Sequence, residues 1–151
     1  ICGRCGHRMQ TSYRGRRPDS QRWYYRCGGD RDKGKRREMG HVAGEYSDLA
    51  FVTSDNPRTE DPAAIAVQIE EGVHESGLKK LKGISDKDLS EPGYILELDR
   101  GKAIQSAIGL AHASDLILIA GKGHEDYQII GKQKFHFSDK EIAQESLQLK
   151  V

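Results

Sequence analysis

Three short segments of the sequence combine glycine with charged side chains suited to binding a small polar ligand. They are residues 28–32, 55–58 and 121–125. A planar guanidinium, such as that of Arg31 or Arg58, holds a carboxylate through two parallel hydrogen bonds. The oxygens of Asp55, Asn56 and Glu125 are acceptors for an ammonium group. The segments therefore predict a pocket for a zwitterionic amino acid, although spacing alone leaves open that they are solvated turns with local hydrogen bonds.

Two of these segments contain glycine patterns that look like nucleotide-binding loops. Residues 29–36 match G-x-x-x-x-G-K, but Arg36 stands where a P-loop has the Ser or Thr whose hydroxyl binds magnesium. Asp30 and Asp32 would also repel phosphate groups. Residues 121–123 lack the G-x-G-x-x-G spacing of a dinucleotide fingerprint. The sequence thus predicts no nucleotide-binding loop at either place.

Cysteines form the other group of residues that could carry chemistry. Cys2 and Cys5 have the C-x-x-C spacing that places two thiolates on one zinc ion, and Cys27 is the candidate third ligand. A closed structural site needs a fourth ligand, for which His7 and His41 are the candidates, and the alternative is a broken site with free thiols. Three cysteines cannot form a closed disulfide framework, so we expect a reducing compartment, the cytoplasm.

The sequence between these segments alternates strand patterns with helix patterns. Strand patterns cover residues 22–26, 48–53, 94–98, 115–120, 128–130 and 134–137. Helices are predicted to begin at Asp61, at Asp99 and at Ser138, while residues 76–92 are predicted to be a loop. This alternation predicts an α/β fold with a doubly wound, mainly parallel sheet. Ligands bind beyond the carboxyl ends of strands in such sheets, which is where the three segments lie.

The length of the chain limits the number of domains, and its charged residues are distributed unevenly. Its 151 residues suffice for one domain, or for one domain with a small appendage, and no apolar run approaches the roughly 18 residues of a membrane span. Residues 1–41 contain twelve Lys and Arg against four Asp and Glu, whereas residues 42–151 contain twelve against nineteen. The chain begins with Ile1 and not with methionine, which suggests a fragment.

Four motifs in order resemble those of one known family. They read CGGDRDKGKR at residues 27–36, TSDNPRTEDP at 53–62, AGKGHEDYQ at 120–128 and FSD at 137–139. From Gly28 to about Gln148 the sequence resembles the C-terminal domain of the Mur ligases, specifically of the members that add diaminopimelate during peptidoglycan synthesis. The family's first helix and strand of this domain are missing, and residues 22–26 lie where that strand belongs.

The resemblance implies roles for individual residues. It implies that a four-residue motif selects meso-diaminopimelate over lysine, and that three further residues contact this amino acid. The motif consists of Asp55, Asn56, Pro57 and Arg58, and the further residues are Arg31, Gly121 and Glu125. Lysine lacks the distal carboxylate that the arginines would hold, so a pocket built for that group is left with unpaired polar atoms around lysine.

The resemblance also implies a reaction and its cofactors. The family uses ATP and magnesium to activate the carboxylate of UDP-N-acetylmuramoyl-L-alanyl-D-glutamate, whose acyl-phosphate the amine of the amino acid attacks. The domains that bind ATP and the UDP-sugar are not recognisable in these 151 residues. We therefore expect the chain to be a recognition domain that does not catalyse the reaction alone.

Residues 1–27 resemble a different family, the zinc beta-ribbon of large serine recombinases. The likeness rests on Cys2, Cys5 and Cys27 and on the run RWYYRC at residues 22–27. Arginines interleaved with aromatic residues suit nucleic-acid binding, so the alternative function is a nucleic-acid-binding module that uses residues 1–26. The competing interpretation is that these aromatic residues pack as a strand on the sheet. A fusion, a designed shuffle or a mis-assembled reading frame would each explain two domains divided at residue 27.

Overall fold

The structure is a computed structural model that describes residues 21–26, 32–82 and 91–150. Its strands are β1 (Gln21–Arg26), β2 (Leu49–Thr53), β3 (Lys79–Lys80), β4 (Gly93–Leu96), β5 (Leu116–Ile119), β6 (Tyr127–Ile130) and β7 (Gln133–His136). Its helices are α1 (Gly34–Glu45), α2 (Pro62–Glu75), α3 (Arg100–Leu110) and α4 (Asp139–Lys150). From β1 to β5 the described elements alternate between strand and helix, except that β3 and β4 follow each other. Helix α1 was not among the helices that the sequence patterns predict.

Five strands form one parallel sheet in the order β3-β4-β2-β1-β5. The remaining two, β6 and β7, pair as an antiparallel hairpin. Helices α1 and α2 pack on one face of the sheet and α3 packs on the other, with α4 against α3. The predicted doubly wound α/β fold is confirmed. Because all five strands run the same way, the loops that follow β2 and β5 leave the sheet at one edge.

The strand predicted at residues 22–26 forms as β1 and lies inside the sheet. Its backbone is paired on both sides, with Tyr24 opposite Phe51 of β2 and opposite Ile119 of β5. The edge strands of the sheet are consequently β3 and β5. The candidate zinc ligands Cys2, Cys5 and Cys27 lie outside the described residues, as do residues 1–20 of the proposed nucleic-acid-binding segment.

A stripe of apolar side chains fixes α2 on the sheet. Ile65, Ile69 and Val73 recur at four-residue intervals and are buried against Ala50 and Val52 of β2. A helix places residues at this spacing on one face, so the sequence pattern predicts the buried side. On the opposite face of the sheet, Ala103 and Ala107 of α3 pack on Leu49, Phe51 and Ile95.

Side-chain caps fix where three helices begin. The Asp61 carboxylate accepts from the amide of Ala63 at 3.1 Å, and Asp99 accepts from the amide of Lys102 at 3.1 Å. Ser138 accepts from the amide of Glu141 at 3.3 Å. These bonds satisfy amides that have no partner within the helix. The helix starts predicted at Asp61, Asp99 and Ser138 are confirmed.

Two predicted boundaries differ from the structure. Residues 76–92 were expected to form a loop throughout, but Lys79 and Lys80 pair with Gly93 and Tyr94 as the short edge strand β3. Short, lysine-rich strands are typical of sheet edges and lack the alternation that identifies an interior strand. The helix that the sequence predicts from Asp99 to Ala113 ends earlier, since α3 stops at Leu110, where Lys150 of α4 donates to the carbonyl of Gly109 at 3.0 Å.

Tyr94 gives the fold a specific dependence on alkaline pH. Its buried hydroxyl donates to Glu70 at 3.0 Å, and burial together with Glu70 raises the pKa of Tyr94 to about 12. The unfolded chain releases this proton near pH 10, so between about pH 10 and 12 the folded state holds more protons. Stability that is present below pH 10 is therefore lost as pH rises through this window.

We expect Tyr94→Phe to flatten the dependence of the unfolding free energy on pH between about pH 10 and 12. Urea unfolding at several pH values measures this slope. Tyr46→Phe is the control, because Tyr46 is largely exposed, and it should keep the slope of the parent chain. Parallel curves for the parent and Tyr94→Phe would show that Tyr94 does not contribute.

Candidate functional site

The candidate site lies where the loops that follow β2 and β5 meet. All five residues of β2 are buried, so the sheet holds the start of the next loop, residues 54–61, in a fixed position. Asn56 donates its amide nitrogen to Glu125 at 3.1 Å, which joins this loop to residues 120–126. Two of the segments that the sequence singles out are thus brought together at the carboxyl edge of the sheet.

Hydrogen bonds to β6 hold residues 55 and 56 from the other side. The backbone amide of Ile129 donates to the side-chain oxygen of Asn56 at 2.7 Å. The side chain of Gln128 donates to the carbonyl of Asp55 at 2.6 Å. Because the Asn56 oxygen is occupied by Ile129, its amide nitrogen must point to Glu125. The bonds therefore fix the orientation of the Asn56 amide.

Arg58 has a backbone conformation that is unusual for a residue other than glycine. Its φ angle is 51°, in the left-handed region, where a side chain costs about 1 kcal/mol or more. Two backbone bonds hold it there, from the Arg58 amide to Ile129 at 3.3 Å and from the Gly131 amide to the Arg58 carbonyl at 2.9 Å. Strain maintained in this way is frequent at functional sites. Here it sets the direction in which the half-buried Arg58 side chain leaves the loop.

The loop after β5 depends on glycine for its shape. Gly121 and Gly123 have φ angles of 113° and 58°, which side chains disfavour. Both glycines are exposed, and Glu125 is partly exposed. The partly exposed site residues are therefore a cation, Arg58, and an anion, Glu125. Such a pair suits the carboxylate and the ammonium group of one amino acid.

The other predicted site residues are placed differently or lie outside the described part. Pro57, Asp55 and Asn56 are buried beneath the surface of the site, the last two with 1% of their surface exposed. Arg31 is outside the described residues. The binding roles assigned to these residues, and to Gly121 and Glu125, stay predictions.

Buried cations near the site, among them Lys122 and Arg36, escape reasoning from sequence. Lys122 forms an ion pair with Asp55 at 3.2 Å, and Arg36 binds Glu60 through two bonds of 3.0 and 2.8 Å. Lysine and arginine are almost never buried unless they are paired, and each partner here is distant in the chain. The position of Lys122 between two glycines is the one local signal.

The described part of the P-loop-like pattern places a buried guanidinium where a P-loop has a hydroxyl that binds magnesium. Arg36 replaces the hydroxyl residue, and its guanidinium is buried on Glu60 and Gln68. Within residues 32–82 and 91–150, no group of three or more His, Cys, Asp or Glu side chains is placed to hold a metal ion. In the same part of the chain, no helix combines the length and the hydrophobicity of a transmembrane span.

The sequence that builds this fold matches a known ligase family. The profile described as "Mur ligase, glutamate ligase domain" matches residues 10–123. The chain belongs to this family.

The chain is similar to ligases named for one amino acid. It is 50% identical over 118 residues to UDP-N-acetylmuramoyl-L-alanyl-D-glutamate--2,6-diaminopimelate ligase of Geobacter sulfurreducens. The aligned region covers 78% of this chain and 23% of that relative. It is 49% identical over 121 residues to the ligase of the same name from Clostridioides difficile, covering 80% and 22%. A solved structure with that name superposes with a TM-score of 0.71 at 33% identity, covering 87% of this chain and 24% of the other.

The matches confirm the resemblance based on residues 28–148 and limit what it establishes. The chain spans less than a quarter of the length of the curated relatives that it matches. The profile match includes residues 10–27, within the segment that resembles a recombinase zinc ribbon. None of the relatives described above is a recombinase, so the alternative function gains no support.

Proposed function

We propose that this chain is the amino-acid-recognition domain of a ligase that adds meso-diaminopimelate to UDP-N-acetylmuramoyl-L-alanyl-D-glutamate in peptidoglycan synthesis. One observation supports the proposal above all. The side-chain amide of Asn56, in the same loop as Arg58, donates to the Glu125 carboxylate at 3.1 Å, at the edge of a parallel sheet where ligands bind. The names of the relatives supply the identity of the amino acid.

Each charged group has a task in this proposal. Arg58 holds the distal carboxylate of diaminopimelate through paired hydrogen bonds, and Glu125 accepts from the distal ammonium group. Arg31, whose role follows from the family resemblance, supplies a second guanidinium to the same carboxylate. At its distal end lysine has an ammonium group but lacks the carboxylate that the guanidiniums would bind. Selectivity then arises from the arginines and not from Glu125.

The remaining chemistry belongs to the rest of such a ligase. In this proposal ATP and magnesium activate the carboxylate of the UDP-linked dipeptide in other domains, and the present chain presents the amine of the amino acid. The described residues hold, orient and discriminate the amino acid without contributing a chemical step. A cytoplasmic location, favoured by the three cysteines, is part of the same proposal.

Calorimetric titration of meso-diaminopimelate into the 151-residue chain, with L-lysine as the comparison ligand, tests the proposal. We expect binding of diaminopimelate and much weaker binding of lysine. Arg58→Met should lower the affinity for diaminopimelate about a hundredfold while changing the affinity for lysine little, because only diaminopimelate has the distal carboxylate.

Arg37→Met is the matched control, since Arg37 is exposed and pairs with Glu75 on the helices, away from the site. It should bind both ligands like the parent chain. The proposal would be abandoned if the chain unfolds cooperatively but binds neither ligand, while the full-length Geobacter sulfurreducens relative binds diaminopimelate under the same conditions. Equal affinity for both ligands would contradict the role of Arg58.

A further inference from the structure

A buried ion pair connects the two loops beneath the candidate pocket. The Lys122 ammonium lies 3.2 Å from the Asp55 carboxylate, and the two side chains are 1% and 0% exposed. Lys122 also donates to the carbonyl of Tyr127 and lies 5.1 Å from the centre of the Phe137 ring. Its ammonium group is therefore held by three separate segments of the chain.

This placement gives Asp55 a different task from that of its neighbours in the motif. Its carboxylate is out of contact with solvent and already faces a cation, so an ammonium group from an external amino acid cannot reach it without displacing Lys122. Arg58 and Glu125, by contrast, are partly exposed on the same two loops. The buried pair lies below the groups that would meet a ligand.

A buried ion pair is a poor way to obtain stability alone. Removing two charges from water costs about as much as their attraction returns, and apolar side chains of similar volume often serve as well. What the pair does provide is a fixed distance between two loops. Above it, the bond from Asn56 to Glu125 makes a second connection between the same loops.

We propose that Lys122 and Asp55 are positioning residues that set the separation of Arg58 and Glu125, and thereby the preference for diaminopimelate over lysine. The inference rests on the proposed function. Without the pair, the loops can move apart, and a ligand that must reach both charged groups is affected more than one that needs Glu125 alone.

The test compares single and double neutral variants of the chain. Asp55→Asn and Lys122→Met each leave one buried charge uncompensated, so both should lower stability. The double variant removes both charges and should regain most of that stability. Calorimetry on the double variant should nevertheless show about tenfold weaker diaminopimelate binding and a smaller ratio of diaminopimelate to lysine affinity. Lys102→Met, which breaks an exposed Lys–Asp pair, should change neither the affinity for diaminopimelate nor the ratio of diaminopimelate to lysine affinity.

A second measurement needs no ligand and keeps the inference separate from the proposed function. The amide of Ile129 in β6 donates to Asn56, so its hydrogen exchange reports how firmly the loop that contains Asp55 and Asn56 is held. In the double variant, Ile129 should exchange about tenfold faster while the core amide of Ile69 is unchanged. Unchanged Ile129 exchange, or recovery of ligand preference together with stability, would overturn the positioning role. Absence of diaminopimelate binding by the parent chain would count against the proposed function, and Ile129 exchange would still decide this inference.

Discussion

Replacing Arg36 by methionine is expected to lower the free energy of unfolding by about 3 kcal/mol, because it breaks a buried ion pair. Lys33, which lies 3.5 Å from Glu60, is exposed and compensates the Glu60 charge only in part. Arg36 has 1% of its side chain exposed and binds both oxygens of Glu60, at 2.8 and 3.0 Å. It also donates to Gln68 at 2.9 Å. A loss of this size is a large fraction of the 5–15 kcal/mol that typically stabilises a domain.

The neighbouring residue provides a matched control for this prediction. Arg37 also binds both oxygens of a glutamate, Glu75, but its side chain is 63% exposed. The hydrogen bond from Arg37 lowers the pKa of Glu75, yet solvent takes over most of this interaction when the arginine is removed. Arg37→Met should therefore leave the urea midpoint nearly unchanged. The two variants alter the same residue type, the same helix and the same kind of pair, and they differ in burial.

A double variant separates the effect of losing the ion pair from the effect of losing the packing contacts of Arg36. Changing Glu60 to methionine together with Arg36→Met removes both charges, and it should recover much of the stability that the single variant loses. Urea unfolding of the four proteins gives the coupling energy between Arg36 and Glu60. Equal losses for Arg36→Met and Arg37→Met would show that burial does not determine the strength of these pairs. A double variant no more stable than Arg36→Met would assign the loss to packing.

Local patterns in the sequence predict the elements of the fold well. The start of α2 follows from Asp61 and Pro62, and its buried face follows from Ile65, Ile69 and Val73, all of which lie within one helix. Strand order is harder, because parallel pairing joins distant residues. The interior position of β1 depends on β5, which pairs with it from the far end of the chain. The apolar run of β5 is typical of an interior strand, yet β5 lies at the edge of the sheet, where Leu116 is 59% exposed.

The candidate site is predicted only in part, and for a related reason. Charged residues in glycine-rich loops identify Arg58 and Glu125, because guanidinium and carboxylate groups suggest an amino-acid ligand without any knowledge of their surroundings. Sequence cannot separate these partly exposed groups from the buried Asp55, Lys122 and Arg36. Burial of a charge depends on a partner that the fold brings to it, and each of these partners comes from another loop or helix.

The contact between α1 and α2 leads to the second large prediction. Gly72 of α2 lies so near the backbone of α1 that an added methyl group would be 2.8 Å from the Arg37 carbonyl carbon and from the His41 amide, and closer to the Arg37 oxygen. Backbone atoms in a helix cannot turn aside as a side chain can. Gly72→Ala must push the helices apart and should lower the free energy of unfolding by about 3 kcal/mol, at the upper end for overpacking.

The same substitution in α3 should have the opposite sign. A methyl group added at Gly109 meets no atom within 4 Å, so Gly109→Ala changes only helix propensity and should stabilise the chain by about 0.5 kcal/mol. Urea unfolding of both variants measures the difference. If Gly72→Ala were as stable as the parent chain, the two helices could not be packed backbone to backbone. Since α1 carries Arg36 and α2 begins just after Glu60, a shift between these helices would also disturb the buried pair that holds the loop of Arg58.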